Sequence, residues 1–349
     1  MTIILGVIAI LFGLSQVFAH SEKKDKIYLW IIWAVLVFIT AFRSIGFYTD
    51  TKVYKEFYEM YSEMSIKLRY YTIFKINKKD PVYHFLSSTL GSMGLPFRVW
   101  LLMVSVLYYT GFIYALRRFS QIPFLTTLGL TCISYVFFTM TGIRQTMAMG
   151  FCFFAFVKAY DRKPIQFALF VFLGYLFHSS CIIFILTYFL INKKFGIVQI
   201  LLVVASATIA FLFPSAINEI VRTLAWNDDV EKYADVTTGL SIFGYVVQLG
   251  IAVICFVLQR EYCLEDREGR ALLNMIVLGL VFQIFAIRID NIFRMSMYFS
   301  VYGMFMIANV VSKFEKESNY WWAYWLVFAV FLAYMLYARS YTGFSLFGG

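Results

Sequence analysis

The chain has 349 residues, of which 61% are hydrophobic and only 14% charged, and its mean hydropathy is +0.75. These values exclude an ordinary soluble protein and predict a single integral membrane domain over residues 1–349. The net charge of +10 is then explained by membrane topology and lipid headgroups. No basic face on a folded surface indicates a nucleic-acid partner.

Hydropathy along the chain predicts an all-α, polytopic membrane protein with about twelve membrane helices. The stretches 164–177 and 178–191 are short, so they are either one tilted helix or two half-helices that meet near His178. The predicted segments are 2–19, 27–42, 98–116, 122–140, 143–160, 164–177, 178–191, 195–213, 240–259, 271–287, 292–311 and 320–338.

Basic residues predict the orientation of these segments. Lysines follow the first segment and none precedes it, which places the N-terminus outside and argues against a cleaved signal peptide. Every second loop after that is basic, as cytoplasmic loops should be, provided that 164–191 counts as two elements. Both termini are therefore expected outside.

Two loops are predicted on the outer side, at 43–97 and 214–238. In the first, Tyr54, Phe57, Tyr58 and Tyr61 follow the spacing of an amphipathic helix. This helix either lies on the membrane surface or offers an aromatic wall to a sugar. A second short interfacial or re-entrant element is expected at 81–97. The loop 214–238 is acidic and is interpreted as a solvated loop.

Four arginines and one histidine occupy apolar surroundings, where an arginine costs about 2.5–3.5 kcal/mol. They are Arg43, Arg144, His178, Arg288 and Arg294. With a rise of about 1.5 Å per residue from the inner helix ends, all five lie roughly 21–27 Å up, near the outer boundary of the core. Arginine binds phosphate oxygens with two parallel hydrogen bonds, so the layer predicts a site for a lipid-linked pyrophosphate.

Polar neighbours accompany two of these arginines. Gln145 follows Arg144, while Asp290 and Tyr298 lie one turn to either side of Arg294. The alternatives are that Asp290 and Arg294 form an internal ion pair and that arginines at outer helix ends extend to lipid headgroups. The five cysteines form no CxxC motif or Cys/His cluster, so no metal site is expected.

The order of motifs resembles the EpsG family, relatives of the Wzy polysaccharide polymerases, over roughly residues 40–310. The residues that carry the resemblance are Arg43 with Asp50-Thr51-Lys52-Val53-Tyr54-Lys55-Glu56-Phe57, Asp80-Pro81-Val82-Tyr83, Ile143-Arg144-Gln145 with Ala148, His178-Ser179-Ser180, and Arg294 with Tyr298 and Phe299.

The resemblance implies a GT-C-like, metal-independent glycosyltransferase of the bacterial cytoplasmic membrane that makes exopolysaccharide, capsule or O-antigen. Its donor and acceptor would be oligosaccharide repeat units on undecaprenyl pyrophosphate, and no soluble cofactor is implied. Membrane lipids are further partners, and a chain-length regulator is compatible with the resemblance. The sugars, the linkage and its stereochemistry, and the oligomeric state are not encoded in any motif.

Roles follow as hypotheses. Arg144 and Arg294 would hold the donor pyrophosphate, and Arg43 or Arg288 would complete the cradle or hold the acceptor phosphates. His178 is the first candidate for the general base and Asp50 the second. Gln145, Tyr54 and Tyr298 are expected to line the substrate site.

Other functions remain open. A flippase or exporter of lipid-linked saccharides would also need many spans and an internal polar layer. The charges cluster near one face and no internal repeat is evident, which favours an outward-facing enzyme. A membrane acyltransferase could use His178 as its base but gives no role to so many arginines.

Overall fold

The computed structural model describes residues 1–18, 22–47, 49–73, 80–213, 240–287, 292–314, 320–338 and 341–347. In these residues the regular elements are helices, together with one isolated antiparallel bridge between Arg43 and Leu346. The all-helical class is therefore confirmed for the described residues. The chain divides into two compact units, residues 1–182 with 317–349, and residues 183–316.

The first unit contains the ten α-helices that the structure describes before residue 182. In chain order they are α1 Thr2–Phe18, α2 Glu22–Ala41, a 3-10 turn Ile45–Phe47, α3 Thr49–Glu63, α4 Ile66–Tyr71, α5 Pro81–Ser92, α6 Phe97–Phe119, α7 Pro123–Cys132, α8 Tyr135–Thr141, α9 Ile143–Tyr160 and α10 Pro164–Phe177. A 3-10 turn, Ser179–Phe184, begins in this unit.

Helix α9 packs between α6 and α10. Small residues allow this close approach, as is common between membrane helices. A Cβ added to Gly111 of α6 would come within 2.2 Å of the Gly150 carbonyl oxygen of α9. Only glycine therefore fits at position 111.

A buried apolar cluster joins α3, α5, α6, α9 and α10 at one end of the unit. Trp100, Ile143 and Tyr83 have almost no exposed surface and lie in this cluster. Close packing of these side chains stabilises the helix contacts through van der Waals attraction. The cluster fixes the short helices α3 and α5 on the ends of the longer ones.

The predicted outer-loop helices are present. Tyr58 and Tyr61 of α3 are buried and Tyr54 is half-buried, but 42% of Phe57 is exposed, so the helix is present and only part of its predicted aromatic face is buried. Lys55 pairs with Glu59 at 3.7 Å. Helix α5 begins at Pro81 and is followed by Gly94, whose φ of +73° favours glycine. The location of these helices at the membrane surface stays a prediction.

The second unit contains the helices of residues 183–316. They are α11 Ile185–Leu190, α12 Ile197–Leu212, α13 Leu240–Leu258, α14 Arg260–Leu264, α15 Arg267–Ala286, α16 Phe293–Ser300 and α17 Tyr302–Lys313. Hydrogen bonds between Gln248, Gln283 and Ser296 join α13, α15 and α16. Helix α18, Tyr320–Ala338, returns to the first unit.

By length and composition, four described helical segments can cross a membrane: Phe97–Phe119, Arg267–Ala286, Phe293–Lys313 and Trp321–Ala338. The third combines α16 and α17. The pair α7 and α8, bent by 55°, makes a fifth if it is one span. Six shorter apolar helices have 10–17 residues. A membrane protein is supported, while the count of twelve spans and the GT-C-like architecture stay predictions.

The two ends of the described chain lie together. The amino group of Met1 donates a hydrogen bond to the Tyr341 carbonyl at 2.9 Å. The expected location of both termini outside stays a prediction. The predicted outer loop 214–238 lies outside the described residues.

Candidate functional site

Asp80 stands at the start of α5 and has an unusual backbone. Its φ and ψ are 53° and 51°, a left-handed conformation that aspartate tolerates better than most residues. Pro81 follows at the first helical position, where proline is favoured. An aspartate here normally accepts a hydrogen bond from its own helix, but the Asp80 side chain makes no such bond. It is available for other partners.

Those partners come from two distant stretches of the chain. Arg144 Nη1 lies 3.0 Å from Asp80 Oδ2, and His178 Nδ1 lies 3.2 Å from the same oxygen. The Ser179 backbone N–H donates to Oδ1 at 3.0 Å. The Asp80 side chain has no exposed surface, whereas 30% of the Arg144 side chain and 20% of the His178 side chain remain exposed. The carboxylate therefore lies beneath the two basic groups.

His178 lies at a break in the chain. Helix α10 ends at Phe177, His178 is extended with φ of −157° and ψ of 116°, and a 3-10 turn begins at Ser179. Gly174 permits the turn to fold back, because a Cβ there would lie 2.6 Å from Cys181 Sγ. The structure thus shows the predicted break near His178, with α10 before it and the 3-10 turn and α11 after it. The break turns the imidazole toward Asp80.

Arg144 is the second residue of α9. Gly142 separates α8 from α9, and its carbonyl accepts the Thr146 N–H at 2.8 Å. The first N–H groups of a helix carry partial positive charge, so a guanidinium is disfavoured there without a nearby anion. Asp80 is that anion. The Tyr54 hydroxyl is a near neighbour of the guanidinium and further stabilises its charge.

The charges around Asp80 control its ionisation. Burial raises the pKa of the carboxyl, but the His178 hydrogen bond, the positive charges of His178 and Arg144, and the Ser179 N–H together outweigh it and lower the pKa below its ordinary value. Asp80 is therefore a carboxylate at neutral pH. On the same helix, burial and the charge of Arg144 lower the pKa of His84 to about 4, so that His84 is neutral.

An ionised carboxylate only accepts hydrogen bonds, so His178 Nδ1 carries the hydrogen in its contact with Asp80. In the neutral imidazole Nε2 then has the lone pair. A histidine can act as a general base when a carboxylate fixes the tautomer of its imidazole and stabilises the protonated ring. Asp80 and His178 have this arrangement. The arrangement can therefore remove a proton from a hydroxyl beside an exposed guanidinium.

The family comparison covers almost the whole chain. The sequence model of the EpsG family matches residues 26–347. The chain belongs to the EpsG family. This is a family of Wzy-like polysaccharide polymerases, so the resemblance inferred from the motifs is confirmed. No curated protein and no solved structure in the comparisons matches this EpsG chain.

Three of the stretches that carried the resemblance meet at the site. Asp80 comes from the acidic-proline motif, Arg144 from the Ile-Arg-Gln motif, and His178 from the His-Ser-Ser motif. Tyr54, from the stretch Asp50–Phe57, lies beside them. The predicted proximity of Arg144 and His178 is therefore observed, although their roles in binding and catalysis stay predictions.

Other predicted site residues of this first unit lie elsewhere. Asp50 is exposed on the first turn of α3. Gln145 is buried, with only 3% of its surface exposed, although its neighbour Arg144 is partly open. Arg43 has 1% of its surface exposed, and its guanidinium donates to backbone carbonyls. The observed contacts of the Arg43 guanidinium are with the protein backbone, and a direct contact with substrate stays a prediction.

The remaining predicted residues belong to the second unit. Arg294 is exposed on α16, and Tyr298 on the same helix is buried with 1% of its surface exposed. Arg288 and Asp290 lie outside the described residues. Of the four arginines in the predicted layer, the structure therefore describes Arg43 and Arg144 in the first unit and Arg294 in the second.

Asp80 and His84 are the residues that sequence reasoning missed. The Asp80-Pro81 motif was recognised, but Asp80 received no role because nothing in the sequence shows which base it contacts. Three signals were available: an aspartate before a helix-starting proline, two basic motifs in apolar surroundings, and the cost of an unpaired buried charge. Among the described residues, no group of three or more His, Cys, Asp or Glu side chains is placed to hold a metal ion.

Proposed function

We propose that this EpsG protein is a glycosyltransferase that polymerises undecaprenyl-pyrophosphate-linked oligosaccharide repeat units at the outer face of the bacterial cytoplasmic membrane. The observation that supports this most directly is the buried Asp80 carboxylate, which joins Arg144 and His178 from separate family motifs. Family membership supports polysaccharide polymerisation. The lipid-linked substrate, the outer face and metal independence are parts of the proposal.

His178 is the general base in this proposal. Nε2 takes the proton of the terminal sugar hydroxyl of the acceptor as that oxygen attacks the anomeric carbon of the donor. The new glycosidic bond forms, and the bond from the anomeric carbon to the pyrophosphate oxygen breaks with its electron pair on oxygen. Asp80 acts through His178 because it is fully buried and cannot touch the sugar.

Arg144 stabilises the leaving group. Negative charge grows on the pyrophosphate as the bond breaks, and the exposed part of the guanidinium provides donors for it. The first turn of α9 adds partial positive charge at the same point. Arg294 and Arg288 are proposed as further ligands of the lipid phosphates, and Tyr54 as a support for Arg144.

The test uses the purified protein in lipid nanodiscs with a synthetic undecaprenyl-pyrophosphate repeat unit. We expect dimers and longer chains, with one undecaprenyl pyrophosphate released for each linkage. Arg144→Lys and His178→Gln should each lower the rate by at least roughly 100-fold while the protein still inserts. Products from both variants at the wild-type rate would refute the proposed site.

A cellular measurement separates polymerisation from transport. Removal of a polymerase leaves single lipid-linked repeat units exposed at the outer face. Removal of a flippase or exporter leaves the same units inside, where an added glycosidase cannot reach them. Accumulation inside would therefore contradict the proposed function and support the transport alternative.

A further inference from the structure

Arg43 joins the ends of two helices in the interior of the first unit. Its Nη2 donates to the Met140 carbonyl at 2.8 Å, and its Nη1 donates to the Thr40 carbonyl. Thr40 lies in the last turn of α2 and Met140 in the last turn of α8. Carbonyl groups at helix C-termini carry partial negative charge, so both are favourable partners for a guanidinium.

The Met140 carbonyl receives a second donor from another part of the chain. Thr51 Oγ1 of α3 donates to it at 2.9 Å, and Thr51 is fully buried. The carbonyl oxygen thus accepts from Arg43 and Thr51 at once and uses both of its lone pairs. These bonds tie the last turn of α8 to the end of α2 and to the start of α3.

The last turn of α8, which contains Met140, lies just before Arg144 in the chain. Met140 is followed within two residues by Gly142, where α8 ends and α9 begins. The Gly142 carbonyl accepts both the N–H and the hydroxyl of Thr146, so the first turn of α9 is held from that side as well. A change in direction at Met140 would therefore move the guanidinium of Arg144 relative to Asp80.

Arginine is required for this contact pattern. The planar guanidinium reaches two carbonyls with separate nitrogens, whereas a lysine ammonium is a single point donor on a flexible stem. With only 1% of its surface exposed, Arg43 offers no open face to a substrate phosphate. Its charge is directed at the protein backbone.

From this geometry we infer that Arg43 is a positioning residue. Together with Thr51 it fixes the orientation of α9 relative to α8, and this orientation places Arg144 against Asp80. The catalytic consequence rests on the proposed function, in which Arg144 binds the pyrophosphate. The structural part, that these two side chains order the joint, does not depend on it.

A double-mutant cycle tests the catalytic consequence. Arg43→Lys should lower kcat by roughly tenfold or more, because small displacements of a positioned group are costly. In an Arg144→Lys background the same change should lower kcat less than about twofold, since the residue that it positions is already altered. Equal losses in both backgrounds, or a change in KM alone, would overturn the inference.

Hydrogen exchange tests the structural part independently of activity. Arg43→Lys and Thr51→Val should each increase deuterium uptake across residues 139–146, while uptake in α15 stays unchanged. Thr51→Val removes one donor with little change in volume and serves if Arg43→Lys does not fold. Unchanged uptake at 139–146 in Thr51→Val would contradict the inference.

A control variant tests specificity, and the two measurements distinguish failure of the Arg43 inference from failure of the proposed function. Arg117→Lys changes an exposed arginine at the far end of α6 and should leave both kcat and uptake at their wild-type values. If Arg144→Lys alone keeps wild-type activity, the pyrophosphate-binding role proposed for Arg144 fails. Increased deuterium uptake at 139–146 in Arg43→Lys would then still support the inference that Arg43 orders the connection between α8 and α9.

Discussion

Asp80 Oδ2 lies 3.2 Å from His178 Nδ1, although 98 positions separate the two residues in the sequence. The same oxygen lies 3.0 Å from Arg144 Nη1. One buried carboxylate therefore contacts both an imidazole and a guanidinium. This relationship makes the polymerase proposal specific enough to test by single substitutions.

Replacement of the carboxylate by an amide tests its role in orientation. Asp80→Asn keeps the volume but removes the charge that fixes the His178 tautomer, so we expect polymerisation to slow by a factor on the order of 10²–10⁴. The measurement is the rate of product formation from the lipid-pyrophosphate repeat unit. The control is Asp50→Asn, which alters an exposed carboxylate on α3 and should change the rate less than about threefold. If Asp50→Asn is the slower variant, Asp50 is the better candidate for the base.

The hydroxyl beside Arg144 can be removed without loss of the ring. Tyr54→Phe removes a hydroxyl that helps to stabilise the guanidinium charge, a loss of about 1–2 kcal/mol, so kcat should fall roughly five- to thirtyfold. Initial rates measure the effect. The matched control is Tyr114→Phe, whose hydroxyl accepts from the Lys158 ammonium at 3.1 Å at the far end of α6. Similar losses in both variants would show that the effect is general and not specific to Arg144.

His84 predicts a pH dependence of stability. Burial and the Arg144 charge lower its pKa from 6.5 to about 4. The folded state therefore binds fewer protons than the unfolded state between these values, and stability should fall as pH falls from about 6.5 to about 4. Thermal unfolding in detergent across this range measures it. Asp80 contributes little in this window, because the pKa of its carboxyl in the folded protein is lowered from 3.8. The stability that it contributes is lost only as the pH falls below about 3.8 and through this lowered pKa.

A variant isolates the histidine. His84→Gln removes the titrating group between the Tyr61 and Tyr83 rings, so the fall between pH 6.5 and 4 should become shallower. An unchanged slope in this variant would assign the pH dependence to other groups. The charged groups that face His84 are Arg144 and Asp80.

The contact between α6 and α9 predicts the effect of one added methyl group. Gly111→Ala would force a Cβ to within 2.2 Å of the Gly150 carbonyl oxygen, and a backbone atom cannot move aside easily. We expect a loss of about 1–3 kcal/mol, read as a lower unfolding temperature in detergent. Gly13→Ala in α1 is the control, because a Cβ there meets no atom within 4 Å. That variant should be neutral or slightly more stable, by up to about 1 kcal/mol.

Much of the local structure could be predicted from sequence because it depends on short-range patterns. Long apolar runs predicted most helix positions, and the spacing of Tyr54, Tyr58 and Tyr61 predicted the amphipathic α3. The break at His178 was one of two alternatives, since a 28-residue stretch fits either a tilted span or two short elements. The loop 214–238 and Arg288 remain predictions because they lie outside the described residues.

By itself the sequence determined that this is an apolar, helical EpsG protein and that Arg144 and His178 are unusual in their surroundings. Only the tertiary structure decided that Asp80 joins them and that Arg43 faces backbone carbonyls. The physical reason is that composition and periodicity report on the environment of each segment. The partner of a buried charge is set by which distant segments pack together, and neighbouring residues do not encode that packing.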